Sequence, residues 1–506
     1  MSPLAITAAP ATSPPRRLLI VGAAVLGPLM QEIDSLVVGV ALPHMQATMS
    51  AAPDQITWVL TSFLIAIAIM SPAVGRASAI VGRKRLMLIA VAGFAFTSIF
   101  CGTSTTIDEL VFFRFIQGIF AAFLTPLFLS TLLDAFPREE HGMALGLWGV
   151  GIMLAPILGP TIGAYITEFY TWRSVFFFNL PVGLFAYTII SVAVPEAQVP
   201  TARPFSYVGF AMIAIGVGSL QFILDQGERL DWFGSPQIAV AGVIAGLGFY
   251  GFILNTIFSR HPFLDIDILK DRNFSAGLVL KALLSVMLVS IVALLPPLLQ
   301  DLKGYPIITT GQVMAPRGLS IMISVIVVGY LHKRIEARPL MVFGMLMMAL
   351  STWLMAVLTV NINTTHIVVV NTIQGVGWGF FFVPLTAASF STLAPRLRDE
   401  GTALFALIAN LGKSFGVSLM VGFLVRDSQV NRSAMVENVS IHNDLFRHLP
   451  LPAVWDIDAP LGLAMLNQEI NRQALTMAYI NDFRMLTIII LVCVPMVYLM
   501  RKPPRF

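Results

Sequence analysis

Charge is scarce in this chain. Only 11% of its 506 residues are Asp, Glu, Lys or Arg, against 57% hydrophobic residues, and the mean hydropathy is +0.83, far outside the soluble globular range. Water is therefore not its main solvent. Cysteine is scarcer still. Cys101 and Cys493 both fall inside apolar runs with no histidine at ligand spacing, which excludes a disulfide framework and a metal centre. No phosphate-binding glycine loop, paired Cys/His site or catalytic triad is present, so nothing points to an enzyme. No Lys/Arg stripe interleaves with aromatics on a soluble segment, which excludes nucleic acid as a partner. The net charge of +4 belongs instead to loops at one membrane face.

What is present is a near-continuous series of apolar stretches from Leu18 to Met500, about fourteen by the criterion of roughly 20 residues per span. The expected fold class is an all-α membrane protein. Residues 1–16, rich in Pro, Ala, Ser and Thr, read as a disordered cytoplasmic tail. The apolar run that follows continues to Leu42, too long for the core of a cleaved signal peptide. With the amino terminus in the cytoplasm, Arg76, Arg83, Lys84, Arg85, Lys270, Arg272, Arg334, Arg338, Arg396, Arg398 and Arg501 fall on inner loops, and only Arg173, Arg229 and Lys303 on short outer ones. The positive-inside rule requires this bias, and both termini are then cytoplasmic. One outer segment, residues 426–480, is long and polar. Its stretch from Leu463 to Tyr479 is weakly amphipathic, and the segment reads as a solvated periplasmic loop or as a docking surface for a periplasmic partner.

An internal repeat divides the chain. Ile116-Gln117-Gly118 with Pro126 downstream is echoed by Ile373-Gln374-Gly375 with Pro384 downstream, each in the fourth span of a set of six. Residues 17–195 and 265–506 then form two six-helix bundles, and residues 196–264 a two-helix insert. Repeated halves with a site at the membrane midplane are the usual construction of secondary transporters.

A charged residue in the middle of a span costs roughly 2.5 to 3.5 kcal/mol on insertion scales, so each calls for a reason. The candidates are Glu32 and Asp34 on span one, Arg114 on span four, Lys281 on span nine, Arg317 on span ten and Lys413 on span thirteen. Counted from span ends near Leu42, Asp108 and Thr309, a rise of about 1.5 Å per residue puts Asp34, Arg114 and Arg317 roughly 9 to 12 Å below the outer face, and Lys413 about 15 Å. These four are expected to share a layer. Glu32 lies close in depth but, rotated by about 200°, cannot share a face with Asp34. The layer reads as mutual neutralisation for assembly or as a proton site, in which burial and nearby cations set opposing pressures on a carboxyl group. Asp34 is the first choice for the proton and Glu32 the second. Lys281, nearer the cytoplasmic face, reads as a snorkelling lysine or as a substrate or coupling group. Pro156, Gly159, Pro160 and Gly163 in span five would kink that helix and let neighbours approach closely. Trp58, among other aromatics, could line an apolar substrate cavity.

With these residues in place, the chain resembles the fourteen-span drug:proton antiporters of the major facilitator superfamily, of the EmrB/QacA type. Ile33-Asp34-Ser35 through Pro43 is similar to the family's first-span motif, which implies that Asp34 is the protonatable residue. Leu110 through Arg114 to Gln117-Gly118 resembles the span-four motif, whose arginine is implicated in proton coupling. Gly159-Pro160 with Gly163 matches the antiporter motif and implies export. Ala315-Pro316-Arg317-Gly318 and Asn410 with Lys413 also resemble family positions. The loop Gly75 to Gly82-Arg83-Lys84 resembles the motif after span two, but Ala79 stands where the superfamily usually has aspartate.

The resemblance implies a major facilitator fold of 14 transmembrane helices. It implies proton-driven, multidrug-type efflux of hydrophobic or amphipathic compounds across a bacterial inner membrane, with the proton gradient and no cofactor, and with Arg317, Lys413, Gln117, Asn410 and Trp58 at the charge layer and substrate cavity. A periplasmic membrane-fusion adaptor and an outer-membrane channel are the implied partners, besides membrane lipid. A dedicated exporter of an endogenous amphiphile, such as a fatty acid, lipid precursor or secondary metabolite, is the alternative, and a non-transporting receptor or scaffold the more distant one.

Overall fold

The computed structural model describes residues 14–137, 140–196, 206–259, 263–332, 334–357, 363–439 and 460–501. All regular structure among them is helical. In chain order the helices are α1 (Pro14–Met49), α2 (Pro53–Met70), α3 (Val74–Val81), α4 (Arg83–Thr103), α5 (Ile107–Ala135), α6 (His141–Phe169), α7 (Ser174–Phe177) and α8 (Asn179–Ala193). There follow α9 (Tyr207–Gln226), α10 (Pro236–Phe258), α11 (Asp267–Lys270), α12 (Arg272–Pro297), α13 (Ile307–Leu331), α14 (Ala337–Ala356), α15 (Thr364–Ser391), α16 (Arg398–Asn438) and α17 (Pro460–Cys493). Thirteen spans among the described residues are long and apolar enough to cross a membrane, and α6, at 29 residues, makes a fourteenth by length. In hydrocarbon every backbone polar group must be satisfied within the chain, which is why only helices span here.

Local sequence sets the helix ends. Thr106 and Glu109 close a reciprocal capping box at the start of α5. Asp271 caps α12 by accepting from the Phe274 amide at 2.9 Å, and the Asn363 side chain caps α15. Each satisfies donors that a helix start leaves open. Between α3 and α4 the chain turns at Gly82 with φ of 90°, a conformation that favours glycine.

Two compact units result. Unit 1 comprises Met1–Phe210, Phe258–Leu264 and Ala394–Ala406, and unit 2 comprises Ala211–Ile257, Asp265–Leu393 and Leu407–Phe506. The insert helices α9 and α10 thus group mainly with unit 2, and the start of α16 groups with unit 1. In unit 1, α1 packs on α5, α6 and α8, and α5 packs on α2 and α4, around a core that includes Met30, Phe63, Phe94 and Phe128. In unit 2, α15 packs on α12, α13 and α14, and α14 on α17. At the α14–α15 crossing a Cβ on either Gly344 or Gly377 would come within 2.7 Å of the other's carbonyl oxygen, so backbone lies directly on backbone.

Three expectations are corrected. Helix α1 begins at Pro14, inside the segment read as a disordered tail, and residues 1–13 lie outside the described residues. It also runs on to Met49 rather than ending near Leu42, because helix propensity does not end where hydropathy does: His44, Gln46 and Thr48 each cost at most about 0.7 kcal/mol relative to alanine in a helix. The segment 426–480 is not simply a loop. Helix α16 continues to Asn438 and α17 starts at Pro460, leaving only residues between them outside the described set.

Candidate functional site

The centre of unit 1 holds a fully buried ion pair. Arg114 Nη1 lies 2.6 Å from Asp34 Oδ2, and both side chains are 0% exposed. An isolated buried charge of either kind is costly, and a pair persists only when hydrogen bonds satisfy its remaining atoms. Several helices supply them. Asn179 at the start of α8 donates to Asp34 Oδ1 at 2.6 Å, and Gln117 donates to the same oxygen at 3.5 Å. The Gln117 and Asn179 amides also donate to Ser98 Oγ on α4, at 2.6 and 3.1 Å. Arg114 Nη1 further donates to Gln117 Oε1 at 2.6 Å, and Nε to the Val59 carbonyl on α2 at 3.2 Å. The guanidinium carbon sits 4.0 Å from the ring centroid of Phe63, an additional cation–π contact. Arg114 Nη2 has no hydrogen-bond partner among the described residues.

Glycine brings the scaffold to this pair. On α6, a Cβ at Gly159 would meet Leu36 Cβ at 3.0 Å, and one at Gly163 would meet Val37 Cα at 3.1 Å. The two glycines of the span-five motif therefore seat α6 against the turn of α1 that follows Asp34. Helix α6 is unbroken through Pro156 and Pro160, whose side chains lie outside the described set.

The repeat in unit 2 reproduces the backbone of this arrangement without its charge. A Cβ on Gly118 would meet the Phe63 carbonyl oxygen at 2.5 Å, and one on Gly375 would meet the Arg317 carbonyl oxygen at 2.5 Å. Four residues before each glycine, Arg114 donates to the Val59 carbonyl and Asn371 to the Val313 carbonyl, at 3.2 and 3.4 Å. Arg317 and Lys413 thus belong to unit 2, while Asp34 and Arg114 meet in unit 1. The depths counted from apolar span ends do not carry over to helices that run on past those ends: α1 extends about 22 Å beyond Asp34 and α16 about 38 Å beyond Lys413. Glu32 is half-buried on α1, as are Asn410 and Lys413 on α16, and Trp58 on α2 is exposed. Lys281 Nζ lies 5.0 Å from the ring centroid of Phe382.

A second constellation surrounds the loop between α3 and α4. Arg83 contacts Asp134 at 2.5 Å and Asp399 at 2.7 Å, Ser78 Oγ donates to Asp399 at 2.6 Å, and Arg76 pairs with Glu400 at 3.3 Å. Arg398 also pairs with Asp134. Lys84 donates to the Ser191 carbonyl at 2.7 Å. A Cβ at Gly75 would fall 2.8 Å from Glu400 Cα, so the first turn of α16 rests on that glycine. With Ala79 in the loop, the carboxylates reach its arginines from α5 and α16 instead. Asn179, Ser98, Asp134, Asp399 and Glu400 were not singled out by sequence. An additional cavity of about 620 Å³ in unit 2, lined by residues such as Glu228, Trp232 and Phe415, contains none of the sequence-derived site residues. Pocket geometry and charge chemistry therefore point to different places, and the buried ion pair is the better marker of function because it carries an energetic cost that packing does not require.

Comparison with known proteins follows this geometry. The Major Facilitator Superfamily model matches residues 24–417. The chain is 32% identical to the probable multidrug resistance protein EmrY of Escherichia coli, over 95% of this chain and 94% of that one. It is 31% identical to the multidrug export protein EmrB of Escherichia coli, with the same coverage, and 29% identical to the fatty acid resistance protein FarB of Neisseria gonorrhoeae, over 95% of each. Among solved structures, the human organic anion transporter TETRAN aligns with a TM-score of 0.61 at 13% identity, covering 94% of this chain and 100% of that one. The proton:xylose symporter XylE aligns with a TM-score of 0.59 at 14% identity, covering 95% and 96%. These two similarities establish the fold alone.

Proposed function

Because the chain belongs to the major facilitator superfamily, we propose that it is a proton-driven antiporter exporting hydrophobic or amphipathic compounds across a bacterial inner membrane, with both termini cytoplasmic. The buried Asp34–Arg114 pair carries this reading. Protonation of Asp34 removes the charge that compensates Arg114, and an uncompensated buried cation costs about 3 to 5 kcal/mol. That cost is large enough to drive the surrounding helices from one conformation to another. Phe63 holds the guanidinium while the carboxyl is neutral. Gln117 and Asn179 can present either an N–H or a carbonyl, so they can partner both the ionised and the protonated acid. Gly159 and Gly163 couple the pair to movement, since they place α6 against the α1 turn beside it. In alternating access around a midplane site, protons entering from outside would thus be exchanged for exported substrate.

The similarity to EmrY and EmrB supports a broad substrate range, and that to FarB supports a dedicated exporter of a fatty-acid-like amphiphile as the second reading. The helical projections of α16 and α17, at 41 and 34 residues well beyond the roughly 20 needed for a span, support docking of a periplasmic adaptor. The deciding experiment is efflux of a fluorescent apolar cation and of an apolar anion from proteoliposomes, with and without a pH gradient, for wild type and Asp34→Asn. Gradient-dependent export that disappears in the variant is expected, and export that persists unchanged in it would overturn the assignment of Asp34.

A further inference from the structure

Among the described residues, the interior of unit 2 holds strong hydrogen-bond donors with few acceptors facing them. Arg317 on α13 is only 6% exposed, yet among the described residues its side chain donates only from Nη2 to the Leu288 carbonyl, at 3.1 Å, and no carboxylate pairs with it. On α15, Trp378 is 6% exposed and its indole N–H has no partner among the described residues. Trp378 stacks on Phe382, with ring centroids 4.5 Å apart and planes 12° apart, and Lys281 of α12 sits over the Phe382 ring at 5.0 Å. The three helices pack together: α15 contacts both α12 and α13. Lys281 and Leu288, the residue that accepts from Arg317, are seven apart and so lie on one face of α12, about 10 Å along its axis.

Arginine is a donor with no acceptor capacity, and an indole offers only its N–H. A buried guanidinium retained without a counter-ion is expensive. The ligand chemistry that fits these donors is therefore an acceptor bearing negative charge. The aromatic pair beneath Lys281 supplies an apolar wall suited to a chain or ring.

We propose that Arg317, Trp378 and Lys281 form a binding site for the anionic head of an amphiphile, a carboxylate or sulfonate carried on an apolar body, and that they set the charge preference of the exported substrates. This names the substrate class of the export reading and rests on it, but places the selection in unit 2, apart from the proton pair at Asp34.

The test is equilibrium binding of three probes of equal chain length to the purified full-length protein, without any gradient: dodecanoate, dodecyltrimethylammonium and dodecanol. Wild type should bind dodecanoate about tenfold more tightly than either of the others, the size of one charge-assisted contact. Arg317→Gln should lose that preference while binding dodecanol as before, and Arg317→Lys should keep most of it. Lys281→Gln, at a half-buried position, provides the same comparison if Arg317→Gln does not fold. Equal binding of all three probes by wild type, or a variant that weakens dodecanol as much as dodecanoate, would overturn the proposal. Binding requires no proton movement, so it can fail while export in the Asp34 experiment succeeds, and the reverse.

Discussion

Asn371 occupies in unit 2 the place that Arg114 holds in unit 1. Each precedes the packing glycine of its repeat by four residues, and each donates to a carbonyl of the helix on which that glycine rests. The two repeats share the helix crossing, and only that of unit 1 carries the cation. In this reading proton handling is confined to one half of the molecule.

Asn371→Ala should accordingly leave the gradient dependence of export intact. It should cost about 1 kcal/mol of stability, the worth of one ordinary hydrogen bond. Vesicle efflux at matched protein levels, together with thermal unfolding in detergent, tests both halves of the statement. Loss of gradient coupling in a folded Asn371→Ala protein would show that the second copy also participates.

The Asp34–Arg114 pair makes a quantitative prediction. Asp34→Ala leaves Arg114 buried and uncompensated, so it should destabilise by about 3 to 5 kcal/mol. Replacing both partners, as Asp34→Ala with Arg114→Met, should recover most of that loss although transport stays abolished. A double variant as unstable as the single one, in chemical unfolding, would mean that the penalty arises from lost packing and not from the stranded charge.

How much of this was legible in the sequence depended on contrast. Asp34 and Arg114 stood out because a charge within an apolar run is conspicuous, but which cation of the expected layer meets Asp34 is decided by the packing of α1 on α5. Asn179 and Ser98, which complete the same network, did not, because small uncharged polar residues are common in spans and carry no signal of their own. Asp399 and Glu400 escaped for the opposite reason: charged residues in a polar loop look like solvated surface until the fold sets them on Gly75 and Arg83. The positions of Gly118 and Gly375 revealed the repeat, since close crossings admit nothing larger. Depth counted from apolar boundaries was the weakest inference, because α1 and α16 remain helical well past the point where their sequences turn polar.

The motif glycines separate crowding from loss of flexibility. Gly163→Val should push on Val37 Cα, which a Cβ would already approach to 3.1 Å, and displace α6 from the turn beside Asp34. Transport should fall at least about tenfold, as a misplacement of about 1 Å can produce, while the protein still reaches the membrane. Gly39→Ala is the matched control, since nothing lies within 4 Å of a Cβ there, and it should transport normally. Equal loss in both would point to backbone flexibility rather than to the α1–α6 contact.

The cluster at the α3–α4 loop should behave as a unit. Asp399 receives Ser78 and Arg83 together, and Arg83 is shared with Asp134, so removing one member leaves the others with fewer partners in a site that is only partly solvated. A double-mutant cycle on Arg83→Gln and Asp399→Asn should therefore show a coupling of about 1 to 3 kcal/mol, within the range for residues in one ionic network. Part of it should be lost in high salt, because these side chains remain 18% and 17% exposed and screening reaches them. If the two substitutions add independently at low salt, the contacts around Asp399 are incidental. The first turn of α16 would then be held to the loop by the Arg76–Glu400 pair and by the backbone approach at Gly75, and Gly75→Ala would be the variant that loosens it.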